Sequence, residues 1–186
     1  MSEPYPDCVA RFYDIVYAQV RNGVDDAYYL SKMASTGGPV LEIGSGTGRL
    51  LREALRRGVD AWGIDVSPAM VERCRAQLPP DARERASVAD AVSMRLGRRF
   101  ALVVAPFRVL SHVAAVEDQL RLLDTVHEHL VPGGAFIFDL YVPDLQLLRE
   151  GMPQRCDFDG AWAPGRRLRR FVSSLPADLW RARRTA

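Results

Sequence analysis

Lysine is nearly missing from this chain: of its 25 basic residues, all but Lys32 are arginine. The imbalance points to coding bias rather than to selection for phosphate contacts. It also excludes a P-loop, which needs a lysine directly after its glycine-rich turn. Cysteine is scarce as well. Cys8, Cys74 and Cys156 are odd in number, far apart, and without a Cys-x-x-Cys pair or a histidine cluster. That pattern excludes a disulfide framework and a zinc site, so no metal is expected. No apolar run approaches the roughly 20 residues that span a bilayer. The first residues, MSEPYPDC, lack the basic-then-apolar order of a secretory signal. A cytoplasmic chain with no membrane partner is expected.

What is present suits one folded domain with a sizeable core: 186 residues, 48% hydrophobic and 26% charged. The formal charge of +2 hides an asymmetry, because residues 151–186 hold eight arginines against three acids. No aromatic interleaving or recognition module accompanies that basic tail, so nucleic acid is not an expected partner.

Periodicity divides the chain. Val9, Phe12, Tyr13, Val16, Tyr17 and Val20 follow helical spacing, which Asn22-Gly23 interrupts. A second helix starts near Asp25 and carries Tyr28, Tyr29, Leu30 and Met33. Short apolar runs at 40–43, 59–65, 84–89, 100–105 and 135–140 read as strands, with helical patterns between them. Ser67-Pro68 is a strong helix start, a capping serine before a proline at the first helical position. On the helix 117–130, Leu120, Leu123, Val126 and Leu130 form the expected buried stripe, and His127 and His129 suit its C-terminal end. Strands alternating with helices predict an α/β fold with a parallel sheet and right-handed crossovers. Beyond Pro143 the pattern predicts a short helix at 144–150 and no convincing strand.

The most informative segment is Val40-Leu41-Glu42-Ile43-Gly44-Ser45-Gly46-Thr47-Gly48-Arg49-Leu50. A strand, a glycine turn and a helix N-terminus together make a nucleotide-sized pocket with free N–H donors. Dinucleotide-binding proteins space their glycines G-x-G-x-x-G, whereas Gly44, Gly46 and Gly48 give G-x-G-x-G. A nicotinamide-dependent oxidoreductase shares the fold but needs the other spacing, so it is the weaker reading. Glu42 lies on the first strand, Asp65 ends the second and Asp90 follows the third, so the three acids line one edge of a parallel sheet. Asp65 is placed to accept ribose hydroxyls and Asp90 an exocyclic adenine amine. An adenosine without a pyrophosphate fits that set.

At these residues the chain resembles the class I S-adenosylmethionine-dependent methyltransferases of the small-molecule type. The matching pieces are VLEIGSGTGRL (40–50), GIDVSPAM (63–70), Asp90, FALVVAPFRVLSHV (100–113) and LVPGGAFIFDLYVPD (130–144). The resemblance implies a three-layer α/β sandwich with sheet order 3-2-1-4-5 and S-adenosyl-L-methionine as cofactor. It places Gly44, Ser45 and Gly46, with Glu42 beside them, under the methionyl part, and counts Gly48 among the cofactor-binding residues. Asp65 would hold the ribose, Val66 and Met70 would pack near the adenine, and Asp90 and Ala91 would meet its edge. Ala105, Pro106 and Phe107 would line the pocket near the sulfonium. Tyr13 and Tyr17 resemble aromatic lid residues, with core packing as their alternative. His112 and Tyr17 are the candidate catalytic groups, and the expected partner is a small-molecule methyl acceptor offering oxygen or nitrogen.

The implied organisation is a helical cap (1–38), a cofactor-binding α/β core (39–150) and an atypical basic tail (151–186), disordered or truncated. The family's sheet has seven strands, closed by an antiparallel hairpin after the fifth; here strands six and seven read as missing or degenerate. A non-catalytic or truncated methyltransferase-like domain is therefore the alternative reading. An uncovered fifth strand predicts a monomer, or a dimer formed through that edge.

Overall fold

In a computed structural model that describes residues 7–20, 23–140, 142 and 144–174, helices and strands alternate as the periodicity predicts. The chain divides into two units: the described residues of Met1–Asp14 and Gly23–Leu140, and those of Ile15–Asn22 and Tyr141–Ala186.

The first unit contains α2 (Val24–Ser35), β1 (Val40–Ile43), α3 (Arg49–Arg56), β2 (Ala61–Asp65), α4 (Pro68–Gln77), β3 (Ala86–Val88), β4 (Phe100–Ala105), α5 (Val116–His129) and β5 (Leu130–Phe138). Helix α1 (Asp7–Val20) is divided between the units at Asp14. The five strands form one parallel sheet of order β3-β2-β1-β4-β5, the expected topology. Side chains alternate along each strand. Val40, Leu102 and Val104 therefore face a layer with Met33, Leu50, Leu51, Val71 and Cys74. Leu41, Ile43 and Val103 face another layer with Leu122 and Val126, and Phe100, before the register shift in β4, packs in that layer too. Both faces are covered, which is why these strands read as continuous apolar runs. Between the pairs Phe100↔Leu130 and Leu102↔Ala135 the register shifts. The expected turn Val131-Pro132-Gly133-Gly134 is accommodated there, inside β5.

Local signals explain several boundaries. The Ser67 side chain accepts from Met70 N at 3.4 Å, capping α4 with Pro68 at its first position. Asp144 caps α6 (Leu145–Glu150), accepting from Gln146 N at 2.8 Å and Leu147 N at 3.3 Å. On the amino-terminal half of β2, the Trp62 ring is flanked by the guanidiniums of Arg85 at 4.3 Å and Arg98 at 3.7 Å. No helix among the described residues is long and apolar enough to cross a membrane.

Two expectations need correction. On α5 the buried face is Leu122, Thr125, Val126 and His129, while Leu120 and Leu123 are 58% and 43% exposed. The polar members of that face are hydrogen-bonded, so they can replace leucines in the layer. Thr125 Oγ1 donates to Val92 O at 3.2 Å. His129 Nε2 accepts from Leu96 N at 3.2 Å, which leaves the ring proton on Nδ1 to donate to Thr125 O at 2.7 Å. The second correction lies beyond Gly151, where the sequence predicts no strand. The second unit contains an antiparallel hairpin of β6 (Met152–Ala163) and β7 (Arg166–Ser174), with Pro164 and Gly165 between the closing pair Ala163↔Arg166. This hairpin is a sheet of its own. Ion pairs reinforce the backbone ladder between its strands. Arg170 forks onto Asp157, and Arg167 and Arg169 both reach Asp159. A search for hydrophobic alternation does not register that pattern.

Candidate functional site at the carboxyl edge of the sheet

The glycine turn between β1 and α3 is tied to the end of β2. Gly44 N and Ser45 N both donate to Ile64 O, at 2.8 and 2.9 Å, and Gly46 N donates to Asp65 Oδ2 at 2.9 Å. All three turn glycines have positive φ: 72° at Gly44, 54° at Gly46 and 87° at Gly48. Their surroundings differ. A Cβ on Gly44 would collide with the Val109 side chain, and one on Gly48 with Cys74 Sγ. Gly44 and Gly48 thus let neighbouring elements close on the turn. A Cβ on Gly46 would meet nothing within 4 Å, so the turn presents bare main chain to open space at that position.

Asp65 anchors this turn from the end of β2. Asp65 Oδ1 accepts from Ser67 N at 2.8 Å while Oδ2 holds Gly46 N. Burial raises the Asp65 pKa, against the opposing pull of those two N–H bonds and of the His112 charge. His112 ends the 3-10 turn Val109–His112, and its electrostatic reach to Asp65 places it at the same edge. Glu42 is 3% exposed in β1, paired in register with Gly63 of β2. Ser45 Oγ is buried without a hydrogen-bond partner among the described residues. Met70 is buried and Val66 half-buried beyond Asp65. Asp90 Oδ1 accepts from Val92 N at 3.0 Å, which shapes the loop after β3 that also carries Ala91. Ala105 and Pro106 are buried at the end of β4, followed by half-buried Phe107.

The structure thus brings Gly44, Ser45, Gly46 and Gly48 into one turn, tied to Asp65 at the end of β2, and Asp65 lies within electrostatic reach of His112. Tyr13 is half-buried on α1 within the first unit. Tyr17 falls in the second unit, with the Arg170 guanidinium 5.1 Å over its ring. Cys74, against Gly48, is an apolar packing group, its thiol pushed up to about 12 by burial first and by Glu42 second. Among the described residues no group of three or more side chains could hold a metal ion.

Sequence reasoning missed the side chains that tie the turn to the N-terminal helices. Thr47 Oγ1 donates to Asp14 at 2.5 Å, and Asp14 also accepts from Gln77 Nε2 at 3.1 Å. Arg49 pairs with Asp26 of α2. It also missed Asp139, one residue past β5, whose two oxygens accept from Tyr29 OH at 2.8 Å and Arg108 N at 2.9 Å. The available signal was Asp139's position: an acid following a strand, as at Asp65 and Asp90.

Residues 40–134 match a family described as a methyltransferase domain. The chain belongs to that family. The methyltransferase domain thus coincides with the glycine turn, the acids of β1 to β3 and the β4–β5 pair. Two curated relatives are similar over this region. The dTDP-3-amino-3,4,6-trideoxy-alpha-D-glucopyranose N,N-dimethyltransferase of Streptomyces venezuelae is 28% identical over 100 residues, 54% of this chain and 41% of that protein. The magnesium-protoporphyrin O-methyltransferase of Rhodobacter capsulatus is 38% identical over 92 residues, 46% of this chain and 41% of that protein. The match thus spans about two fifths of each relative's length. Among solved structures, the glycopeptide N-methyltransferase MtfA complexed with S-adenosyl-L-methionine aligns with a TM-score of 0.55 at 27% identity, covering 82% of this chain and 66% of that one.

Proposed function

We propose that this protein binds S-adenosyl-L-methionine and transfers its methyl group to an oxygen or nitrogen atom of a small molecule. The observation that carries the reading is the glycine turn itself. At Gly46 the main chain faces open space, with the buried Ser45 hydroxyl beside it and the Asp65 carboxylate fixed by the Gly46 and Ser67 amides. An adenosyl ligand with a zwitterionic methionyl arm suits that set, which offers a bare main chain, a hydroxyl and acids. The similar methyltransferases agree in class, two acting on nitrogen and one on oxygen.

When bound, the cofactor supplies a methyl already activated on a sulfonium. The protein's part is then to hold and orient, because much of the catalysis of an in-line displacement comes from alignment. Asp65 would accept from the ribose hydroxyls through lone pairs its backbone partners leave open. Val66 and Met70 would flank the adenine, and Asp90 and Ala91 would meet its edge. Pro106 and Phe107 would close the side nearest the acceptor. His112 takes a proton from acceptors that enter protonated, which is the situation that calls for a general base. The N-terminal helices cap this edge through the Thr47–Asp14 and Arg49–Asp26 contacts.

Isothermal titration of the purified 186-residue chain with S-adenosyl-L-methionine and S-adenosyl-L-homocysteine tests the reading. Dissociation constants below a millimolar for both are expected, and absence of binding by either refutes it.

A further inference from the structure

Immediately after β4 the backbone does something that non-glycine residues avoid. Phe107 and Arg108, consecutive in the chain, have φ of 60° and 63°. Each places its Cβ against the following carbonyl, so such a pair persists only where the surroundings hold it. The register Ala105↔Phe138 brings the residues after β4 and β5 side by side at the carboxyl edge of the sheet. There, Asp139 Oδ2 accepts from Arg108 N at 2.9 Å. The other oxygen, Oδ1, accepts from Tyr29 OH at 2.8 Å. Tyr29 is a rigid anchor: it is 3% exposed, packed in the core layer with Leu30 and Met33, and its ring meets Tyr28 edge-on at 5.6 Å. Burial first, and the Asp139 carboxylate second, raise the Tyr29 pKa, so the hydroxyl keeps its proton and stays a donor.

We propose that Asp139, braced by Tyr29, is a positioning residue: it holds the left-handed turn Phe107–Arg108 in the shape that lines the methyl-transfer end of the site. The turn's own proposed role rests on the cofactor reading above; the hold itself does not. One carboxylate thereby links three elements, namely α2, the turn after β4 and the end of β5. The acid orients the turn through its two accepted hydrogen bonds and makes no use of its charge in the reaction. An asparagine can reproduce this arrangement. Its amide oxygen accepts from Arg108 N, and its NH2 donates to a Tyr29 hydroxyl turned to accept.

Three variants, Asp139→Ala, Asp139→Asn and Tyr29→Phe, test the inference by two readouts. The first is hydrogen exchange at the Arg108 amide, which needs no ligand. Asp139→Ala is expected to speed that exchange at least tenfold, Tyr29→Phe about threefold, and Asp139→Asn less than twofold, with amides of β4 unchanged. The second is titration with S-adenosyl-L-methionine, S-adenosyl-L-homocysteine and adenosine. Asp139→Ala should weaken the first two about tenfold and leave adenosine unchanged, while Asp139→Asn restores both. An Arg108 amide unaffected by Asp139→Ala overturns the proposal. So does equal loss of all three ligands, which would mark a general loosening. Loss of S-adenosyl-L-methionine alone in Asp139→Asn would also overturn it, by showing direct contact of the charge with the sulfonium. Should Asp139→Ala fail to fold, Tyr29→Phe decides, and an unchanged Arg108 exchange there refutes the bracing. A wild-type protein that binds none of the ligands defeats the functional reading, and the exchange measurement still decides the hold.

Discussion

Alanine at two glycines of one turn should rank them one way in stability and the other way in ligand affinity. Gly46 and Gly48 both have positive φ, so alanine at either costs about 1–2 kcal/mol for the left-handed backbone. At Gly48 the new methyl also drives into Cys74 Sγ, a fully buried neighbour on α4. Overpacking of that kind adds about 1–3 kcal/mol. Gly48→Ala should therefore destabilise by roughly 4 kcal/mol and lower the melting temperature by about 10 °C, at about 2–4 °C per kcal/mol for a chain of this size. Gly46→Ala meets nothing within 4 Å, so its cost stays near 1–2 kcal/mol and its melting point falls by about 4 °C. Ligand affinity should rank the other way. Gly46→Ala puts a methyl where the cofactor approaches the main chain and should weaken S-adenosyl-L-methionine at least tenfold. Gly48→Ala, measured well below its melting point, should bind within about threefold of wild type. Thermal denaturation and calorimetry on the two variants make the comparison, and adding Cys74→Ala isolates the collision. In that double-mutant cycle the Gly48→Ala penalty should shrink by about 1–3 kcal/mol, the overlap part alone. Equal destabilisation by the two alanines, or unimpaired binding by Gly46→Ala, would refute the assignment of packing to Gly48 and ligand approach to Gly46.

Three further outcomes are expected. Leu122→Ala on the buried face of α5 should cost about 2–5 kcal/mol, whereas Leu120→Ala on its exposed face should stay within about 0.5 kcal/mol of wild type; urea denaturation showing the reverse would restore the helix phase predicted from sequence. At pH 8.5 Cys156 should alkylate readily while Cys74, its thiol raised to about 12 by burial, reacts only after unfolding; mass-spectrometric mapping of the modified thiols reads this directly, and native labelling of Cys74 would refute it. Glu53 accepts hydrogen bonds from Arg56 and Arg57, which hold its carboxyl down at about 2 instead of 4.5. A lowered carboxylate stabilises the fold above its ordinary value and loses that contribution as pH falls through the folded one. Glu53→Gln should therefore melt slightly below wild type at pH 7 and converge with it near pH 2, and a gap that widens on acidification would contradict the sign.

The sheet was legible because its chemistry is local: β4 is an uninterrupted apolar run, β1 and β2 are mostly apolar with an acid in or at the end of each, and the glycine turn announces itself by spacing. The acids Glu42, Asp65 and Asp90 could be placed because a parallel sheet aligns its strand ends. What escaped was held by partners distant in sequence. Leucine spacing put Leu120 and Leu123 inside α5, yet Thr125 and His129 take that face through bonds to Val92 and Leu96, which no helical period encodes. The β6–β7 hairpin escaped because the side chains that pair across it include Asp157 and Asp159 with Arg167, Arg169 and Arg170, which break hydrophobic alternation. Tyr29 and Asp139 lie 110 residues apart, so neither residue's neighbours in the chain hint at the other.

The stacked and forked guanidiniums give the near-absence of lysine a physical meaning that composition alone did not. Arg170 grips Asp157 with two nitrogens while its guanidinium carbon lies 5.1 Å over the Tyr17 ring, and Arg85 and Arg98 both lie over Trp62. A lysine ammonium is a compact, strongly hydrated point charge and offers neither a fork nor a flat face. Charge-preserving exchange at these positions is thus a change of shape. At these positions the arginines supply a fork and a flat face that lysine could not.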